Sequence, residues 1–234
     1  MNNLKYKLNS VLPSPDDDRD WIAESIYVKN TKLPKIVDHR KDLFKIRDQG
    51  SQGSCAAQTA ACIKEWQENK DVGFEEHMSP QFIYNNRENQ NSEGMFARDV
   101  MSILSKFGSC SERDYPYGKI EKPEEINKEI YDKAKDYKIK SYAQVKTIEG
   151  VKKALYINGP CYIAFPVYNH SSRMWIPSIG DKRQGGHAMT IVGYNKKGFI
   201  IRNSWGKNWG NNGYCCYSYN DWGSHWEIWT TIDD

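Results

Sequence analysis

The chain reads as an α+β protein: a helical lobe comes first, a β lobe follows, and a groove lies between them. Three observations lead there. The first half is rich in small residues and helix formers punctuated by Ser-Pro and Gly. The second half breaks into short, apolar, β-rich runs separated by turns. A cysteine at the mouth of the first helix is matched by a histidine and an asparagine in the second half, so groups with complementary chemistry come from opposite ends of the chain.

Residues 1–32 form an extension distinct from the rest. Pro13-Ser14-Pro15-Asp16-Asp17-Asp18-Arg19-Asp20-Trp21 is turn-rich and acidic and has no helical or strand period. Residues 33–234 form the body, with the helical lobe mainly over 50–115 and the β lobe mainly over 137–234. The alanine-rich stretch from Ser54 predicts a largely buried helix over about 54–69. Ser79 before Pro80 predicts the start of a second helix. A third covers 97–107 and is stopped by Gly108. In the second half, alternation over 137–142 predicts a strand. A short helix over Ile148–Ile157 follows and ends at Asn158-Gly159-Pro160. Apolar strands are expected at 161–165, 187–194 and Gly198–Arg202, the last two as a hairpin.

The 234 residues suffice for two lobes sharing one cleft. Lys+Arg is 33 and Asp+Glu is 30, a net charge of +3, so neither nucleic acid nor an anionic membrane is an expected partner. No run is apolar for long enough to cross a bilayer. The start lacks the apolar core of a secretory leader, which favours an intracellular or virion-associated location. The expected state is a monomer. Of the six cysteines, five remain if Cys55 does chemistry; they are expected to be mostly reduced and buried. Cys215 and Cys216 are adjacent on a strand and point to opposite faces, so they do not build a zinc site; no metal or other cofactor is expected.

A thiol becomes a good nucleophile when ionised, and a helix N-terminus and a nearby imidazolium both favour the thiolate. Cys55 is placed for the first effect. Gly53 and Ser54, in Gly50-Ser51-Gln52-Gly53-Ser54, let the backbone turn tightly and leave room for a substrate chain. His187 follows Gly185-Gly186, which permits close approach of another lobe. Asn203 ends the next strand of the hairpin, where its side-chain oxygen can fix the imidazole tautomer and aim the other nitrogen at sulfur. Trp205 can cover that bond. Gln49 can join the Cys55 backbone N–H as an oxyanion donor. Taken singly, Cys55 and His187 each read better as ordinary structure; jointly these residues are a parts list for acyl transfer.

The joint pattern resembles the papain-like cysteine peptidases, cathepsins included. Gln49…Cys55, Gly186-His187-Ala188, Asn203-Ser204-Trp205-Gly206 and Trp209-Gly210-Asn211-Asn212-Gly213-Tyr214 carry the resemblance, from about Leu33 to Trp229. It implies a two-lobed fold, with a helical left lobe and an antiparallel β-barrel-like right lobe. It also implies peptide-bond hydrolysis by Cys55 as nucleophile, His187 as acid/base, Asn203 as orienting residue and Gln49 as oxyanion donor. Gly94 matches the glycine whose backbone pairs with bound peptide, Ala188 lines a side-chain pocket, and Trp205 and Trp209 match the aromatic wall on the leaving-group side. Gln52 stands where secreted relatives have a disulfide cysteine, and Ala56 where most have tryptophan; both resemble the compact bacterial and viral branch. Through Lys7-Leu8 and the acidic Pro15–Asp20 stretch, residues 1–32 resemble that branch's short propeptides, which implies that they lie over the cleft as an inhibitor of a zymogen. A transpeptidase or a non-hydrolytic peptide-binding protein on the same fold remains the alternative.

Overall fold

The computed structural model describes residues 6, 7, 10–28 and 30–233. Leu8 of the Lys7-Leu8 match, and residues 1–5, lie outside the described residues. In chain order the elements are β1 (Val11–Leu12), β2 (Val37–Asp38), α1 (Cys55–Val72), α2 (Pro80–Asn85), β3 (Met95–Phe96), α3 (Ala97–Lys106), α4 (Lys128–Ala134), β4 (Ser141–Gln144), α5 (Ile148–Ile157), β5 (Cys161–Val167), β6 (Gly185–Tyr194), β7 (Gly198–Arg202), β8 (Tyr214–Ser218) and β9 (Glu227–Ile232). The main sheet runs β4-β9-β5-β6-β7-β8, every neighbour antiparallel, with β2 added along β6. Helices α1, α2 and α3 form the first lobe, and the sheet with α5 forms the second.

Helix α1 lies at the junction. Ala56, Ala57, Ala60 and Ala61 are all fully buried, and their small side chains let α1 approach α2, α3 and β6 closely. A helix buried all round must pair its charges. Lys64 accordingly meets Glu68 and Asp233, and Glu65 meets Arg47 and His77. The helix runs past the expected 69 to Val72, where Gly73 ends it in the left-handed conformation (φ 68°). Helix α2 starts as expected, Ser79 Oγ accepting the Phe82 N–H at 3.0 Å.

One expectation needs correction, and one element went unforeseen. Residues 137–142 are not one strand: Tyr137 closes a 3-10 turn, and β4 begins only at Ser141. The alternation there reflects burial, because Tyr137 packs on Phe74 and the Ile139 N–H bonds to Leu104 O. Helix α4 was not expected from the sequence. Asn127 caps it, and it closes a small separate core of Phe82, Cys110, Tyr115, Ile126 and Ala134.

The N-terminal residues are docked along the body. Tyr6 stacks on Trp205, with centroids 4.9 Å apart and planes 8° apart. Strand β1 pairs in parallel with β3. Asp20 accepts two hydrogen bonds from the Arg98 guanidinium, at 2.8 and 2.6 Å, and one from Gln144 Nε2 at 2.7 Å. Glu24 Oε1 accepts from the N–H groups of Lys146 and Thr147 at 2.9 and 2.8 Å, holding the start of α5. Gly150 makes room for it, since a Cβ there would stand 2.2 Å from that oxygen.

Candidate active site

Cys55 is the first residue of α1. Its neighbour Ser54 occupies the cap position without capping the helix: the Ser54 hydroxyl is engaged with Tyr117 Oη at 2.7 Å. The N–H groups of the first turn thus stay available, and those of Cys55 and Ala56 act on the sulfur and favour its anion. From the other lobe, the Ala188 N–H donates to Cys55 Sγ at 3.4 Å. The residue next to His187 therefore touches the sulfur, and the two halves of the chain meet at this point.

His187 Nε2 donates to Asn203 Oδ1 at 2.7 Å. An amide oxygen only accepts, so the proton resides on Nε2 and Nδ1 keeps its lone pair. Nδ1 is buried and has no hydrogen-bond partner among the described residues. Trp205 lies over the imidazole, ring centroids 4.4 Å apart, and is itself buried, which shields the His187–Asn203 bond from water. Trp209 meets Trp205 edge-on at 5.9 Å and donates its indole N–H to His170 O.

Gln49 is held at both ends of its amide. Ser204 Oγ donates to its Oε1 at 2.7 Å, and its Nε2 donates to Gln52 O at 3.0 Å. An amide nitrogen carries two hydrogens, so one remains beyond the Gln52 bond. Gly53 and Gly186 lie against the covering N-terminal residues. A Cβ on Gly53 would meet Ser10 Oγ and Glu93, and one on Gly186 would meet Val11 O at 2.4 Å. Gly94 gives its own N–H to Ser92 Oγ, and Met95, one residue on, donates to Ser10 O at 3.2 Å.

The groove is covered in this structure. Ser10, Val11, Cys55, His187 and Ala188 are all fully buried. Burial pushes the Cys55 thiol up to about 12, against hydrogen bonds from Ala188, Ala56, Ser10 and its own N–H that pull it down. Burial also drives His187 down to about 4, against the Asn203 bond that raises it. Both shifts favour neutral thiol and neutral imidazole beneath the covering segment.

All eleven residues singled out from the sequence are near this groove. Sequence reasoning missed Ser10 and Val11, which cover the thiol, and Ser204 and Tyr117, which hold Gln49 and Ser54. No local pattern marks these; each acts through a contact distant in sequence. Among the described residues all six cysteines are unbridged, and Cys55, Cys62, Cys110 and Cys161 are buried.

The fold, with Cys55 Sγ bound by the residue next to His187, is the architecture of a cysteine protease. The family described as papain family cysteine protease matches residues 33–228, and the chain belongs to that family. It is 32% identical to an uncharacterised peptidase C1-like protein of Acanthamoeba polyphaga mimivirus, over 87% of this chain and 78% of that protein. It is 27% identical to cathepsin K of Mus musculus, covering 86% of this chain; the chain spans 65% of that protein's length. In structure it is similar to xylellain, a cysteine protease from Xylella fastidiosa, with a TM-score of 0.84, 28% identity and coverage of 100% of this chain and 99% of that one.

Proposed function

We propose that the protein is a thiol endopeptidase made as a zymogen, with Cys55, His187 and Asn203 as its working triad. The observation that carries this reading is the meeting at the sulfur. The Ala188 N–H binds it while the adjacent imidazole, oriented by Asn203, keeps a free buried nitrogen. In the open groove His187 takes the Cys55 proton. The thiolate attacks a peptide carbonyl, and the oxyanion is met by the Cys55 N–H and the second hydrogen of Gln49 Nε2. His187 then protonates the leaving amine, and a water activated by the same imidazole releases the acyl group. No step calls for a metal or organic cofactor.

The extension of residues 1–32 acts in this reading as the inhibitor, with Ser10 and Val11 over the thiol and the Asp20 and Glu24 carboxylates as anchors. Residues 30–36 are the expected place of cleavage, since Asn30, Lys32, Pro34, Lys35 and Ile36 are exposed. Incubating the Cys55→Ala chain with activated enzyme, with products read by mass spectrometry, tests both parts. Expected are cleavage within 30–36, hydrolysed rather than joined or deamidated peptides, and no turnover by the variant itself. Turnover by Cys55→Ala overturns the triad, and an uncut 30–36 stretch overturns the zymogen.

A further inference from the structure

The contacts over residues 20–24 are more exacting than covering a groove requires. Residues 16–24 carry five carboxylates: Asp16, Asp17, Asp18, Asp20 and Glu24. Asp17 is taken up by Arg19 of the same stretch. Asp20 and Glu24, four residues apart, instead each occupy a receptor that belongs to the body.

The first receptor is the Arg98 guanidinium with Gln144 Nε2, which together give Asp20 three hydrogen bonds. The body aims both groups. Arg98 lies over the Trp229 ring, 5.9 Å from its centroid. Gln144 stands on β4 opposite Trp229, and its Oε1 is engaged by the Lys146 ammonium, which turns Nε2 toward Asp20. The second receptor is the start of α5. Glu24 Oε1 accepts from the Lys146 and Thr147 N–H groups and from Thr147 Oγ1 at 2.9 Å. The same hydroxyl accepts the Gly150 N–H at 2.9 Å, so the cap of α5 fixes it in place. Between the two carboxylates the backbone is gripped as well. The Gln144 N–H donates to Trp21 O at 2.8 Å, and Ile22 forms a parallel bridge to Gln144. Ala23 is fully buried, in one cluster with Val145, Val151 and Ala154, while the Trp21 side chain is exposed. The face thus reads Asp-x-x-small-Glu. Its parts lie on α3, β4 and α5, away from the residues around Cys55, and a cut within 30–36 leaves all of them on the body.

We infer that, once the extension has been cut away, this face is an exosite: it recruits protein substrates through an acidic segment of the form Asp-x-x-small-Glu, apart from the bond that is cleaved. Charge and spacing identify the occupant. One carboxylate pairs with the guanidinium that has lost Asp20, a second caps the helix four residues on, and only a small side chain fits between them. This rests on the peptidase and zymogen readings above.

The test uses the full chain after it has processed itself. The probe is a fluorescein-labelled peptide of residues 16–28, which lacks Ser10 and Val11. By anisotropy it is expected to bind, tenfold or more weakly when it carries both Asp20→Asn and Glu24→Gln, and more weakly in 0.5 M NaCl. At saturation it is expected to leave cleavage of a short neutral peptide unchanged within twofold; a probe that blocks this cleavage lies in the groove and overturns the exosite. In a second arm the short peptide is joined through a Gly-Ser linker to Asp-Trp-Ile-Ala-Glu or to Asn-Trp-Ile-Ala-Gln. The quantity read is the ratio of their kcat/KM values, acid over amide. A short linker supplies an effective concentration of about 1 mM, so an affinity of about 100 μM gives the expected tenfold ratio. Arg98→Ala, and Gly150→Ala, whose Cβ takes the place of Glu24, are each expected to bring the ratio within twofold of one. A wild-type ratio near one overturns the inference, and so does a tenfold ratio that survives both substitutions. If the short peptide is not cut and Cys55 alkylates no faster than Cys62, the peptidase reading fails, while the anisotropy still reports on the receptor. A chain uncut within 30–36 never vacates the face, and the exosite falls with the zymogen.

Discussion

Arg98→Ala is the perturbation that most sharply probes how the groove is covered. The Arg98 and Asp20 side chains are 20% and 9% exposed and joined by two hydrogen bonds. Exposed ion pairs are worth about 0–1 kcal/mol, while stranding one partner of a buried pair costs about 3–5 kcal/mol. This pair lies between those limits, and Gln144 continues to serve Asp20 after the change, so the expected cost is about 2 kcal/mol. That cost falls on docking of the segment rather than on the body, because Asp20 is the segment's partner. At tenfold per 1.4 kcal/mol, the population with an uncovered groove rises about 30-fold. The assay is the pseudo-first-order alkylation of Cys55 by iodoacetamide, with each cysteine resolved by peptide mass spectrometry. Buried Cys62 and Cys161 serve as internal references. A Cys55 rate within twofold of wild type would refute the reasoning. So would an equal rise at Cys62 and Cys161, which reports loosening of the whole fold.

Two further predictions follow from the same contacts. Gly150→Ala improves the propensity of α5 by up to about 1 kcal/mol, yet its Cβ displaces Glu24 from the helix start. The urea midpoint should hold or rise while Cys55 alkylation quickens about fivefold, the loss of roughly 1 kcal/mol of capping; an unchanged alkylation rate contradicts the anchoring role of Glu24. For pH, His187 is held down to about 4 by burial, against about 6.5 when exposed, so protons bind more tightly to any state that exposes the ring. Stability of the covered form should therefore be full above pH 6.5 and fall as pH drops from 6.5 toward 4. His225, also driven down to about 4 by burial, adds in the same direction. A urea midpoint equal at pH 7 and pH 4.5 runs against this.

The legible parts of the fold were those written locally. Ser79-Pro80 begins α2, Gly108 stops α3, and Ile148–Ile157 is bounded as expected because Thr147 caps it and Asn158-Gly159-Pro160 ends it. The roles proposed for Cys55, His187, Asn203 and Gln49 could be read from the sequence because chemistry restricts which residue types serve. What stayed hidden depends on distant partners. The alternation at 137–142 looked like a strand because burial against Phe74 and α3 imposes the same spacing as pairing. Ser10 and Val11 gave no sign of their place, since β1 is two residues long and exists only through β3.

The central claim is that sulfur and imidazole from opposite halves of the chain act as one nucleophilic unit. Mass spectrometry of the activated enzyme, quenched in acid during turnover of a slowly released peptide ester, tests it most directly. The account predicts an acyl adduct on Cys55 alone among the six cysteines, and its loss in His187→Ala. Ester consumed at the full rate with Cys55 unmodified would contradict it.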